Sequence, residues 1–110
     1  MDSVVTDYDD GLLIRFEDTY GVFEATVDAI EVTDVTLRLH RDGTEVGSIY
    51  NDDGTNRTMA RLAVAGESDF VGVEVPKQFV RELLEAALAR DRVRNPDRVE
   101  GYRLRVLDGE

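Results

Sequence analysis

The chain is 110 residues long, has no cysteine, and carries 24 acidic against 13 basic residues for a net charge of −11. That length suffices for one domain with its own core, and the missing thiols exclude disulfide frameworks, cysteine nucleophiles and thiolate metal sites. The first residues hold no basic region followed by an apolar run, and no apolar stretch approaches the roughly 18 residues that span a bilayer, so a soluble cytoplasmic protein without a membrane role is expected.

In chain order, residues 4–6 and 12–17 read as strands on either side of Asp9-Asp10-Gly11, whose Asp-Gly pair suits a hairpin turn. Residues 18–21 form a second turn. In the stretch 22–33, Phe23, Ala25 and Val27 alternate, and the phase then slips to Ile30 and Val32. A bulge near Asp28-Ala29 would absorb the slip. A short helix would instead align Val22, Thr26, Ala29 and Ile30, but the β-branched content favours strand.

From Val35 the pattern becomes a meander. Val35, Leu37 and Leu39 point one way, with Thr36, Arg38 and His40 the other. Turns at Asp42-Gly43, at 51–56 and at 66–69 separate strands whose Ala60, Leu62, Val64, Val71, Val73 and Val75 face inward. Gly47 suits a bulge. Val46, Ile49, Leu13 and Phe70 fit the inner face poorly, which leaves room for a barrel or a dimer.

Residues 76–92 carry the clearest signal. Phe79, Val80, Leu83, Leu84, Ala87 and Leu88 recur at steps of three and four, which lines one side of a helix. Pro76 suits its first position and Asn95-Pro96 its end, with Arg90, Arg92 and Arg94 near the negative end of its dipole. Tyr102, Leu104 and Val106 then alternate as a final strand, placed by the helix to run parallel to residues 70–75 as in a crossover unit. The sum is a single α+β domain over residues 1–110. It is a mainly antiparallel twisted sheet or partial barrel of about six to eight short strands, one face covered by the helix, followed by the final strand.

The charge is distributed unevenly. Residues 1–56 hold 3 basic against 14 acidic residues, whereas residues 57–110 hold 10 of each. This segregation points to charge pairing between the halves or between subunits. Lys77 is the only lysine; every other basic residue is arginine. An acid-rich, nearly lysine-free composition resembles that of cytosolic proteins from extremely halophilic archaea. Carboxylates hold water and hydrated cations in brine, whereas a lysine stem exposes apolar surface that concentrated salt drives toward aggregation.

That composition also sets the standard for catalytic candidates, because most of its carboxylates serve hydration. Residues 51–56 invite a calcium reading, but placing Gly54 at the loop glycine puts Ile49 and Ala60 where oxygen ligands are needed. Asp7 and Asp9 share a strand face and are a candidate acid–base or metal pair. His40, the only histidine, falls on the outward parity without an activated serine. No glycine-rich phosphate loop is present. The expectation leans away from an enzyme, with no metal or cofactor.

The arginines concentrate near the end of the chain. Arg90, Arg94, Arg98, Arg103 and Arg105 form a candidate binding set for an anion or a partner, acting through bidentate guanidinium forks. Nucleic acid is disfavoured by the net charge and by the weak return of counterion release at molar salt. Two functions are therefore expected. The first is a small non-catalytic cytosolic domain that associates with another protein or with itself. The alternative is a nucleic-acid or anion-binding module built on the arginines.

Overall fold

The computed structural model describes residues 2–8, 11–18, 21–52, 57–63 and 70–108. The Asp9-Asp10 turn, residues 53–56 and the turn at 66–69 lie outside them. The chain folds as α+β with two antiparallel sheets. The first contains β1 (Asp2–Tyr8), β2 (Gly11–Asp18) and β3 (Gly21–Val27) in that order. The second contains β4 (Ala29–Val32), β5 (Thr36–Arg41), β6 (Thr44–Asp52), β7 (Arg57–Ala63) and β8 (Phe70–Glu74), also in that order. There is no closed barrel among the described residues.

The phase slip in the stretch 22–33 is a change of sheet rather than a bulge. β3 ends at Val27, Asp28 bends the chain, and β4 begins at Ala29 in the other sheet. The Asp28 N–H donates to the His40 carbonyl at 2.9 Å, and its carboxylate accepts the Asp42 N–H at 2.8 Å, so the corner is tied to the end of β5 and the first residue of the β5–β6 turn. That turn puts Asp42 and Gly43 at φ 52 and 80, a two-residue left-handed conformation that Asp-Gly tolerates well.

Leu12, Ile14 and Val27 from the first sheet join Ile30, Leu37, Leu39, Ile49 and Ala60 from the second in one buried cluster. Val35 does not: it is 50% exposed, because β5 starts only at Thr36. Ile49 and Val46, doubtful on parity, both belong with the core. The β5–β6 register shifts between Leu39 and His40, leaving Val46 without a cross-strand partner. This bulge, beside Gly47 as expected, returns Ile49 to the buried face and packs Val46 against it. The side chain of Phe70 lies outside the described set.

The helix α1 spans Lys77–Ala89 and buries Phe79, Val80, Leu83, Leu84 and Ala87 in the same cluster. Pro76 is not its first residue; it sits just before it with extended backbone, φ −70 and ψ 147. The helix also stops well short of Asn95. Asp91 takes a left-handed φ of 56, the Arg92 N–H donates to Ala87 O at 2.8 Å and the Asp91 N–H to Leu88 O at 3.2 Å. That pair of bonds is a Schellman C-cap, built here on aspartate instead of glycine.

After the cap the chain meets the far edge of the second sheet. Ile30 donates to Arg92 O and accepts from the Arg94 N–H, both at 2.9 Å, and Val93 bridges Ile30 in parallel. So α1 leaves β8 at one edge and delivers the chain to β4 at the other. Its 13 residues, at about 1.5 Å each, match the four gaps of about 4.8 Å between five strands.

The expected final strand is helical. A short turn at Pro96–Arg98 leads into α2 (Val99–Tyr102), and Arg103–Leu107 continue as a π turn closed by the Asp108 N–H on Arg103 O at 2.7 Å. The buried residues Val99, Tyr102 and Val106 are spaced by three and four, and Leu104, which alternation would bury, is 61% exposed. No parallel crossover to residues 102–107 therefore forms; the parallel contact is the Val93 bridge instead.

Tyr102 is fully buried, and its hydroxyl has no hydrogen-bond partner among the described residues. Burial pushes its ionisation well above the usual tyrosine range. Tyr102→Phe should raise stability by about 1 kcal/mol by removing an unpaired hydroxyl. Because the folded state holds the phenolic proton more tightly, the stability present below about pH 10 is lost as the pH rises beyond it, and the variant should lose less there. Urea midpoints at neutral and alkaline pH measure both effects; a destabilised Tyr102→Phe would mean that the hydroxyl has a partner after all.

Candidate functional site

The solvent-facing side of the five-stranded sheet is built by cross-strand register. Glu31, Arg38, Ser48, Arg61 and Gly72 occupy one row across β4 to β8, and Thr36, Tyr50, Met59 and Glu74 the next across β5 to β8. Thr36, Arg38, Glu45, Ser48, Tyr50 and Arg61 line a shallow open concavity of about 410 Å³ there. Tyr50 leans diagonally over β7, so that a Cβ on Gly72 would lie 3.7 Å from its hydroxyl. The tyrosine thus covers a strand glycine that offers no side chain of its own.

Charges of both signs alternate on this face. Arg38 Nε lies 3.7 Å from Glu45, and Arg57 Nε lies 4.0 Å from Glu74. All four side chains are about half exposed, so these pairs contribute little to stability and can be exchanged for a partner's groups. His40 departs from the outward, solvated placement its parity suggests. It is only 9% exposed at the β5–β6 bulge, with Nε2 3.5 Å from Glu31 Oε1.

The five arginines singled out in the sequence do not converge. Arg98 and Arg105 meet at one carboxylate, their Nη1 atoms 3.6 and 3.7 Å from the same Asp34 oxygen. Arg105 folds back over its own turn, since a Cβ on Gly101 would come within 3.1 Å of its Nη1. Arg103 pairs with Glu100 at 3.9 Å. Arg90 donates from Nη1 to Ala86 O at 3.0 Å, and Arg94 lies in the segment bonded to β4. The Asp34 contacts join the acid-rich half of the chain to the arginine-bearing half. Arg103 and Arg105 lie on a helical turn and take different carboxylates.

Of the carboxylate candidates, the side chains of Asp7, Asp9, Asp52 and Asp53 lie outside the described residues. Among the described residues no three His, Asp or Glu converge as a metal site, and no helix is long and apolar enough to cross a membrane. Tyr50, Arg38 and Arg61 are not among the candidate site residues that the sequence marks. Their signal was present as outward parity on adjacent strands, but it emerges only once the order of those strands is known. Compared with family models, with curated proteins and with solved structures, the chain matches none.

Proposed function

We propose that this chain is a non-catalytic association domain from the cytosol of an extremely halophilic archaeon, binding a protein partner or its own copy through the solvent-facing side of the five-stranded sheet. The supporting observation is the cluster of Tyr50, Arg38 and Arg61 around one open concavity. Tyrosine and arginine carry a disproportionate share of interface energy, since each combines broad contact area with directional hydrogen bonds. In this reading α1 forms the layer on the opposite side of the sheet, and the acidic surface maintains hydration while salt screens the net charge.

The test is association in molar potassium chloride. Sedimentation equilibrium of the wild type should show a complex, and the double variant Tyr50→Ala, Arg61→Ala should weaken it roughly tenfold or more, as the loss of one or two anchor contacts requires. A strictly monomeric wild type that also retains no protein from its own cytosol at native ionic strength would overturn the proposal.

The arginine-rich end supports a second reading, an anion-binding module. Arg98 and Arg105 share a single carboxylate and so retain one net positive charge between them. A polyphosphate or RNA oligomer whose affinity survives molar salt and falls with Arg98→Gln, Arg105→Gln would favour it over the first.

A further inference from the structure

The two edges of the five-stranded sheet are treated differently. The outer edge of β4 is occupied: Ile30 exchanges bonds with Arg92 and Arg94, and the Asn95 side chain takes both polar groups of Val32. No described segment bonds to the outer edge of β8. Its polarity follows from the ladder: the Val75 N–H donates to Thr58 O at 2.9 Å, in register with the β7–β8 pairs. Alternation then turns the N–H and C=O groups of Val73 and Val71 toward β7, and those of Glu74, Gly72 and Phe70 outward.

The geometry points to β8 as a self-pairing edge, on which a second copy of this chain adds β8 antiparallel about a two-fold axis at Gly72. This rests on the self-association branch of the proposed function but puts the contact between copies at the sheet edge instead of the face, so that Tyr50→Ala, Arg61→Ala should leave this dimer intact. The three outward residues are symmetric about Gly72, so Gly72 faces its own copy and Phe70 faces the partner copy's Glu74, each facing pair exchanging two N–H···O=C bonds. Charge agrees with this register, because the two Glu74 carboxylates fall at opposite ends of the paired strands rather than opposite each other. Glycine at the axis leaves that facing pair without side chains. The strand also lacks two features that often block an edge, since its sequence FVGVE has no lysine and no proline. With β4 occupied, pairing stops at two copies and produces one continuous sheet whose Tyr50-bearing faces lie on the same side.

The chain has no cysteine, so Gly72→Cys introduces a single thiol. Facing residues of an antiparallel hydrogen-bonded pair have Cα atoms about 5.5 Å apart, within the roughly 4.4–6.8 Å that a disulfide spans. A Cβ at this position meets only ordinary contacts, so the variant should fold. Under mild oxidation in molar potassium chloride, most of Gly72→Cys should become covalent dimer, and Glu82→Cys on the exposed side of α1 should not. Gly72→Pro removes only an outward N–H and should sediment as a monomer with a circular dichroism spectrum like that of the wild type. A wild-type dimer that Gly72→Pro leaves intact and Gly72→Cys fails to cross-link would overturn edge pairing but leave self-association standing. A wild type that is monomeric at every concentration would overturn both.

Discussion

Gly11→Ala should destabilise the fold by about 3 kcal/mol, the upper end of the overpacking range. An added Cβ at Gly11 would lie 2.5 Å from the Val27 carbonyl oxygen and 3.3 Å from its carbon. Both are backbone atoms at the end of β3, and neither can rotate away as a side chain would. Relief requires β2 to move off β3 or the Asp28 corner to shift, and that corner is held by the His40 carbonyl on one side and the Asp42 amide on the other. The strain therefore spreads to the junction of the two sheets. Gly11→Ser should cost at least as much. Urea unfolding followed by far-ultraviolet circular dichroism measures it; a Gly11→Ala protein unfolding at the wild-type midpoint would show that the junction yields easily.

Gly11 also shows how a residue can be noticed for the wrong reason. Next to Asp10 it reads as a turn glycine, a position valued for left-handed backbone. In the fold it is the first residue of β2, pairs with Tyr8, and is needed for close approach. Helix α1 was legible because a helix that buries one side must repeat its apolar residues at about 3.6, and the five buried residues do so. Its end was not, because the Schellman cap uses Asp91 where glycine would have marked it. The last segment reads as strand from sequence because Tyr102, Leu104 and Val106 alternate as neatly as Val99, Tyr102 and Val106 step by helical turns. A stretch this short satisfies both periods, and only tertiary contact decides between them. Register across the meander is legible as far as the bulge at Val46; the burial of His40, which contacts Glu31 on the outward side, is not. The candidate arginines stood out by composition, but composition does not say which carboxylates they meet. Asp34, far away in sequence, takes two of them.

The role of Asn95 is the least apparent from sequence and leads to a sharp expectation. Beside Pro96 it reads as a helix stop. In the fold its amide stands in for a strand residue, with Oδ1 accepting the Val32 N–H at 2.8 Å and Nδ2 donating to the Val32 carbonyl. Asn95→Leu leaves both backbone groups unpaired beside a side chain that is fully buried. The cost should be about 2–3 kcal/mol, less than two fully orphaned groups because water reaches part of the edge. Asn95→Asp should cost a similar amount through a different route, since its carboxylate keeps the acceptor but sets a negative charge against the Val32 carbonyl. Hydrogen exchange separates this from a general loss of stability: the Val32 amide should exchange much faster, out of proportion to amides of β6 at the centre of the sheet. A second consequence concerns assembly. Asn95→Leu uncovers only the Val32 end of the β4 edge, because Arg92 and Arg94 still hold Ile30; added to the β8 edge of the proposed dimer, that end gives a second place for pairing, and species larger than a dimer should form in molar salt. If Asn95→Leu keeps both the wild-type urea midpoint and a protected Val32 amide, the side-chain pairing contributes nothing to that edge, and the contrast drawn between the β4 and β8 edges among the described residues fails with it.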